Sequence, residues 1–209
     1  MKEMYNNYKK ELSKKNNILI LISVVFILGL IFGSIYITIL ENEEKTTILN
    51  QVNNYFLSDS SSFDEKIEIF KNSLLSNFTY IISMWLLGLS VIGMPIVFIM
   101  TFFKSFILGF SVSSIFAKYG FKGIVGVLTY IFPSHIILSI FILFLSTYSI
   151  IISLKLANSA VHKKTINFKT FMGKYFFILI IGILISILCS LFDGFVSPYI
   201  TRLFTNFIK

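Results

Sequence analysis

The chain has 209 residues, of which 56% are hydrophobic and 13% are charged, and its formal net charge is +8. A soluble domain of this length could not bury so much apolar surface, because much of the surface of any folded protein stays exposed. The positive charge does not indicate nucleic acid as a partner, because the lysines cluster beside apolar runs, as in the loops of membrane proteins. We therefore predict an all-α, polytopic integral membrane protein whose main surrounding is the lipid bilayer.

The N-terminal part combines a basic segment with a long apolar run. Residues 1–17 include five lysines, and residues 18–40 are apolar over a length sufficient for one membrane span. This run is roughly twice as long as the apolar region of a signal peptide, and no cleavage-site pattern follows it. We predict a cytoplasmic N-terminus over 1–17 and a retained first transmembrane helix over 18–40.

Residues 41–77 form the one substantial polar segment outside the lysine clusters, with seven acidic and three basic residues. Apolar residues recur at helical spacing in two stretches, on either side of a serine-rich turn. Ser62 and Glu65 have the spacing of a capping box at the start of the second stretch. We predict an extracytoplasmic amphipathic helical hairpin, which either lies on the lipid surface or binds a partner.

The central region, residues 78–154, is predicted to be a transmembrane bundle with short turns. Its first stretch, 78–103, is long enough for a second span, although glycines and Pro95 interrupt it. Helix breakers are tolerated at membrane depth where neighbouring helices or hydroxyl groups bond the freed backbone groups. This stretch therefore packs inside a multi-helix body.

Lys104 follows that stretch, and the sequence leaves two arrangements open for it. Either Lys104 reaches the inner membrane surface and a short helix follows, or a helix that starts near Pro95 carries it into the bilayer. The lysine counts favour the inner surface, and we expect Lys104 there. A glycine-rich turn follows at 120–126, and an overlong apolar run that Pro133 kinks or starts completes the region.

The last third of the chain repeats the pattern of a basic loop beside an apolar run. Residues 155–174 carry five lysines and form a predicted cytoplasmic loop, 175–197 the last transmembrane helix, and 198–209 an extracytoplasmic tail. The complete prediction is about five spans, with a cytoplasmic N-terminus. Loops assigned to the inside then carry eleven lysines and arginines, against seven outside, as positive-inside orientation requires.

Small residues recur every four positions in three of the predicted spans. Gly29 and Gly33 lie in the first span, Gly109 in the third and Gly182 in the last. Such ridges let helix backbones approach closely in lipid, where packing replaces the hydrophobic effect. They predict helix contacts within one chain or between copies of it, so a homo-oligomer stays open.

Ionisable and nucleophilic residues in the apolar segments suggest two alternative functions. Lys104, His135 and Asp193 are candidates for the path of a small-solute or ion transporter. Ser90 and His135 are a remote candidate for the dyad of a rhomboid-like intramembrane serine protease. Motifs for metals, phosphates or dinucleotides are absent from the sequence, so we expect no cofactor and no metal.

One long motif carries a family resemblance. It runs Met84-Trp-Leu-Leu-Gly-Leu-Ser-Val-Ile-Gly-Met-Pro and is followed by Phe103-Lys-Ser-Phe-Ile-Leu-Gly-Phe-Ser-Val and Tyr119-Gly-Phe-Lys-Gly. Together with the first span, the hairpin and the last span, it closely resembles the bacterial stage II sporulation protein M family.

The resemblance implies a non-enzymatic membrane scaffold of the engulfment complex in sporulating cells. Such a scaffold recruits two peptidoglycan hydrolases, sporulation proteins D and P, to the mother-cell side of the septum, where the wall is remodelled and the membrane migrates. It implies no catalytic, cofactor-binding or metal-binding residue. The candidate residues are therefore structural: Gly29, Gly33, Trp85, Gly88, Gly93, Pro95, Lys104, Gly109, Gly182 and Asp193.

Overall fold

A computed structural model of the chain describes residues 2–57, 62–131, 134–162 and 168–208. Over these residues it is almost entirely helical and has no strand, which confirms the predicted all-α class. A 3-10 turn at Gly120–Lys122 and a π-helical turn at Phe192–Val196 interrupt the α-helices. The α-helices are α1 (Lys2–Ile39), α2 (Asn42–Leu57), α3 (Phe63–Gly88), α4 (Gly93–Tyr119), α5 (Gly123–Ile131), α6 (Ser134–His162), α7 (Phe168–Leu191) and α8 (Ser197–Ile208).

Helices α1, α3, α4, α6 and α7 pack side by side and form the bundle. Contacts of Gly29 with Phe102 and of Gly33 with Phe106 show that α1 and α4 run parallel. The chain returns between them through α2 and α3. At one end of the bundle, the Lys15 end, the ammonium of Lys15 donates a hydrogen bond to the hydroxyl of Tyr148 on α6 at 2.7 Å. The opposite end, formed by α2, the start of α3 and α8, is called the Phe56 end.

Four stretches of the described residues are long and apolar enough to cross a membrane: Lys15–Ile39, Gly93–Leu128, Ser134–Val161 and Met172–Thr205. The polytopic membrane class is thus confirmed. Helix α3 is more polar and is not among these four, although it packs along α6 and α7 in the same bundle. The count of five spans and the cytoplasmic N-terminus stay predictions.

The course of the chain between 63 and 119 differs from the predicted one. The second helix of the hairpin does not end at residue 77, because α3 runs without a break from Phe63 to Gly88. The turn falls at 89–92, where the N–H groups of Leu89 and Ser90 donate to carbonyls of the last turn of α3 at 3.0 Å. Pro95, which has no N–H group to donate, lies in the first turn of α4, where no helical acceptor exists. The predicted span 78–103 is therefore divided between two helices.

The ends of the described segments give two further differences. The predicted tail, 198–209, is helical over most of its length, because α8 covers Ser197–Ile208. Its Phe204 is 1% exposed and packs against Phe56 of α2 and Tyr119 of α4, with ring centroids 4.9 and 5.5 Å apart. Pro133, the predicted kink or helix start, lies outside the described residues.

Candidate functional site

The contact between α1 and α4 depends on three glycines. A Cβ atom at Gly33 would overlap the carbonyl oxygen of Phe106, and one at Gly109 would overlap the carbonyl oxygen of Leu30. A Cβ atom at Gly29 would collide with the hydroxyl of Ser105 and lie 2.5 Å from the carbonyl oxygen of Phe102. The backbones of the two helices therefore touch, and the small-residue ridges of the first and third spans meet each other.

Trp85 and Gly88 join α3 to α7 near the Lys15 end. The indole of Trp85 stacks on the ring of Tyr175 at 5.2 Å and donates to the Tyr175 carbonyl at 3.2 Å. In return the Tyr175 hydroxyl donates to the Trp85 carbonyl at 2.8 Å and lies 2.9 Å from the hydroxyl of Ser149 on α6. Gly88 leaves the room that this hydroxyl occupies, since a Cβ atom there would overlap it.

Two other glycines of the candidate set also stand at close contacts. At Gly93 a Cβ atom would overlap the carbonyl of Leu87, so the tight turn between α3 and α4 needs a glycine there. Gly182 faces the ring of Phe141 on α6, which would lie 2.7 Å from an added Cβ atom, and Ile81 on α3. The ridge of α7 thus lies between α3 and α6.

Lys104 lies inside the bundle and not at a membrane surface. It stands eleven residues after Gly93 and fifteen before Tyr119 in one continuous helix, about 16 and 22 Å from the two ends. Its ammonium lies over the ring of Tyr80 on α3, 5.2 Å from the centroid, and interacts electrostatically with Asp193. The structure therefore has the second arrangement, in which α4 starts beside Pro95 and carries Lys104 within it.

Asp193 connects three elements of the bundle. It lies in the π-helical turn after α7, and its carboxylate accepts hydrogen bonds from Ser73 of α3 at 2.7 Å and Ser134 of α6 at 2.5 Å. Ser134 is the first residue of α6, where free N–H groups and the helix dipole favour a negative charge. His135, the next residue, interacts electrostatically with both Asp193 and Lys104. Asp193, Lys104 and His135 thus belong to one half-buried polar cluster.

Ser90 and His135 are far apart, so they do not form the dyad of a serine protease. The carbonyl of Ser90 accepts a hydrogen bond from Ser153 at the Lys15 end, at 2.8 Å. His135 stands eighteen residues before Ser153 on the same helix, which separates the two by about 27 Å along the axis. A base must lie within hydrogen-bond reach of its nucleophile. The dyad hypothesis is therefore wrong.

The hairpin packs its apolar side on the bundle and leaves its acidic side exposed. Ser62 is the N-cap of α3 and accepts a hydrogen bond from the N–H of Glu65 at 3.3 Å, as the capping-box pattern predicts. Phe56 of α2 is 2% exposed, and Val52 packs with it against Ile115 of α4. The acidic residues of this surface are exposed: Glu41, Glu43, Glu44, Asp64, Glu65 and Glu68.

A groove of about 240 Å³ separates α2 from the last turns of α4. Ile48, Val52 and Phe56 line it on α2, and Phe110 and Ile115 on α4. Its lining is mostly apolar, so it suits an apolar side chain or an acyl chain better than a polar ligand.

Several residues of these sites carry no signal in the sequence. Ser73, Tyr80, Ser134 and Tyr175 are ordinary polar residues of long helices, and each acquires its role from a partner far away in the chain. The sequence gives one indirect signal of these sites, which is the charge of Lys104 and of Asp193 within apolar runs.

Comparisons with known proteins give one match. The model of the family described as Stage II sporulation protein M matches residues 22–198, which is most of the chain. The matched part includes residues 22–39 of α1, all of α4, the hairpin and the half-buried polar cluster. No curated protein and no solved structure matches the chain.

Proposed function

Because the chain belongs to the stage II sporulation protein M family and is thus a sporulation-related membrane protein, we propose that it is a scaffold of the engulfment complex. In this role it recruits the peptidoglycan hydrolases D and P to the sporulation septum, where the septal wall is remodelled and the membrane migrates. It performs no catalysis itself and resides in the mother-cell membrane.

The main support for this proposal is the way the hairpin packs on the bundle. Its apolar stripe is used within the protein, since Phe56 packs against Ile115 and Phe204 and is nearly fully buried. The part of the stripe around Phe56 is therefore not available to lie on lipid. The exposed part of the hairpin is an acidic surface that also carries Phe63, which is 67% exposed and whose ring lies 6.5 Å from that of Phe195. Exposed aromatic residues with a polar rim are typical of protein interfaces.

Charge supports the orientation that the proposal needs. The sequence segments 1–17 and 155–174 contain ten of the lysines. Of these, Lys15, Lys155 and Lys174 lie at the Lys15 end, and the acidic surface lies at the opposite end. Positively charged loops stay in the cytoplasm, so this distribution favours an extracytoplasmic hairpin. Enzymes that cut septal peptidoglycan act on that side.

Affinity capture from sporulating cells tests the docking role. Deletion of the whole hairpin is a poor probe, because it would remove Ser73, which bonds Asp193 in the bundle. A surface variant with Phe63→Ser, Glu65→Gln and Glu68→Gln changes exposed side chains only. We expect it to insert normally and to lose most of the hydrolases D and P that the unchanged protein captures.

Val161→Ser is the matched control, since Val161 is 76% exposed at the Lys15 end. Equal capture of both hydrolases by the surface variant, the control and the unchanged protein would refute docking through the hairpin.

One observation favours a second candidate function, transport of a small solute or ion. A lysine is costly inside a membrane, about 3 kcal/mol on insertion scales, and intramembrane charges commonly mark transport paths. Lys104 is half-buried in the bundle and interacts electrostatically with Asp193 and His135. Flux measured in proteoliposomes, with and without Lys104→Gln, separates the two functions. A flux that depends on Lys104 would establish transport, and a leak no larger than that of empty liposomes would exclude it for the solutes tested.

A further inference from the structure

A groove at the Lys15 end lies between α6 and α7. It has a volume of about 370 Å³ and is lined by Tyr148, Gly173, Lys174, Phe177 and Ile178. Sites for small ligands commonly have volumes of about 300–1,000 Å³. A Cβ atom added at Gly173 would meet nothing within 4 Å, so the wall of the groove is open at that residue. The groove therefore has room for a group the size of a phospholipid headgroup.

The groove lies at the level where the apolar part of the bundle begins. Lys15 is the first residue of one of the four membrane-crossing stretches, and Lys174 is the third residue of another. The α6 residue that follows Tyr148 bonds the hydroxyl of Tyr175, and Trp85 stacks on the Tyr175 ring. Tyrosine and tryptophan collect at the headgroup level of membranes, because their rings are apolar and their tips are polar. The groove is thus placed where headgroups and acyl chains meet.

Hydrogen-bond donors remain available at this groove. The ammonium of Lys15 donates to the Tyr148 hydroxyl at 2.7 Å and lies 4.4 Å from the centroid of its ring, which holds the charge beside the groove. An ammonium has three N–H groups, so two of those on Lys15 are left over. Within the described residues, the Tyr148 hydroxyl donates no hydrogen bond, and the exposed Lys174 forms neither a hydrogen bond nor an ion pair. These groups can donate to the oxygens of one anion.

The positive charge of the groove has no countercharge among the side chains that the structure describes. Their carboxylates lie between Glu41 and Glu68, in and beside the hairpin, and at Asp193, away from the Lys15 end. The sequence adds to the imbalance, because residues 1–17 contain five lysines against two glutamates and residues 155–174 contain five lysines and no acidic residue. An anionic ligand would supply the missing countercharge.

The lower wall of the groove is apolar and continues along α7. Phe177 and Ile178 follow Lys174 by three and four residues, so they lie on the same side of the helix, one turn further into the apolar stretch. Phe177 is 63% exposed, and the exposed Ile181 and Leu184 continue its row at helical spacing. A soluble anion would contact the donors alone, whereas a lipid would also cover this row with a chain.

We propose that this groove binds a phospholipid with an anionic headgroup. Its phosphate accepts hydrogen bonds from Lys15, Tyr148 and Lys174, and one acyl chain lies along Phe177 and Ile178. Basic pockets between membrane helices bind anionic headgroups in this way. A zwitterionic lipid binds more weakly, because its own cationic group already compensates the phosphate and is repelled by the lysines. The site is independent of the scaffold proposal and of the side of the membrane that the Lys15 end faces.

Lipid titration of the purified full-length protein in a neutral detergent tests the site. Phosphatidylglycerol or phosphatidylcholine is added, and bound lipid is counted by native mass spectrometry. The midpoint of thermal unfolding is a second readout, because a ligand of the folded state raises it. We expect phosphatidylglycerol to bind more tightly, and the variant Lys15→Gln with Lys174→Gln to weaken its binding roughly tenfold or more. Lys45→Gln with Lys118→Gln is the matched control, because it removes the same charge at the Phe56 end.

Gly173→Leu separates the groove from the charge alone, because it keeps both lysines and places a side chain in the open space. It should weaken the binding of phosphatidylglycerol as the double lysine variant does. The proposal is overturned if the two lipids bind equally well, if the double variant binds phosphatidylglycerol as tightly as its control, or if Gly173→Leu binds it as tightly as the unchanged protein. Displacement of the lipid by soluble glycerol phosphate would assign the groove to a soluble phosphate ester and would also overturn it.

Discussion

Substitution of Gly33 by alanine is the sharpest probe of the contact between α1 and α4. The added methyl group would occupy the position of the Phe106 carbonyl oxygen, which belongs to the backbone of α4. Backbone atoms cannot rotate away as a side chain can, so the helices must separate. Gly173→Ala on α7 is the matched control, because an added Cβ atom there has nothing within 4 Å.

The two substitutions are expected to change stability in opposite directions. Alanine in place of glycine inside a helix stabilises by roughly 0.5–1 kcal/mol when the new methyl group meets no obstacle. Gly173→Ala should show this gain. Overpacking costs typically about 1–3 kcal/mol, so Gly33→Ala should lose up to about 2.5 kcal/mol net after the same helical gain. The difference between the two variants then isolates the helix contact.

The free energy of unfolding, measured in mixed micelles with increasing denaturing detergent, gives both values. Cysteines placed at Phe32 and Phe102, whose rings are in contact with centroids 6.1 Å apart, can be joined by a short bifunctional thiol reagent. This crosslink reports separately whether α1 and α4 stay together. The reasoning is refuted if Gly33→Ala is as stable as Gly173→Ala and the crosslink forms equally well in both.

Three further predictions concern contacts between distant segments. Tyr175→Phe removes the hydroxyl that donates to the Trp85 carbonyl and should lower the free energy of unfolding by about 1–2 kcal/mol, measured in the same micelles. Phe204→Ala removes a buried aromatic side chain and should lower the free energy of unfolding by about 3–5 kcal/mol. Its readout is faster proteolysis of the hairpin, and unchanged proteolysis would contradict the packing of α8. Ser73→Ala removes one of two hydrogen bonds to Asp193 and should lower the free energy of unfolding by about 1–3 kcal/mol. If the two side chains act together, this loss must vanish in an Asp193→Ala background.

The class of the protein and its local signals could be predicted from the sequence. Long apolar runs report membrane helices directly, and Ser62 marks the start of α3 because a cap depends on residues close in the chain. The motif that starts at Met84 indicates the family by its order of residues alone, and the match to the family model confirms it. Gly29 and Gly33 stand out because their spacing is a property of one helix.

The position of Lys104 could not be predicted in the same way. A lysine in an apolar run normally ends the span, and that rule placed it at the inner surface. The rule fails here because Tyr80 and Asp193 offset its charge from other helices. A one-dimensional pattern contains no information about such contacts, which join residues tens of positions apart.

The end of α3 was missed for a related reason. The first turns of α3 are charged and its last turns are apolar. The hydropathy pattern therefore divides the segment at residue 77, although the backbone continues as one helix to Gly88. The break falls instead at 89–92, where Gly93 permits a tight turn and Pro95 begins the next helix.

The parallel pairing of α1 with α4 has a consequence for the order of events during synthesis. The Gly29–Gly33 surface of α1 is complete about 75 residues before its partner around Gly109 leaves the ribosome. At about 5–20 residues per second, α1 waits in the bilayer for roughly 4–15 s with this surface uncovered. In that interval an identical helix from a neighbouring ribosome has the same access to it as α4 will have later. The rate of translation and the spacing of ribosomes on the message therefore enter into how much correctly paired protein a cell obtains.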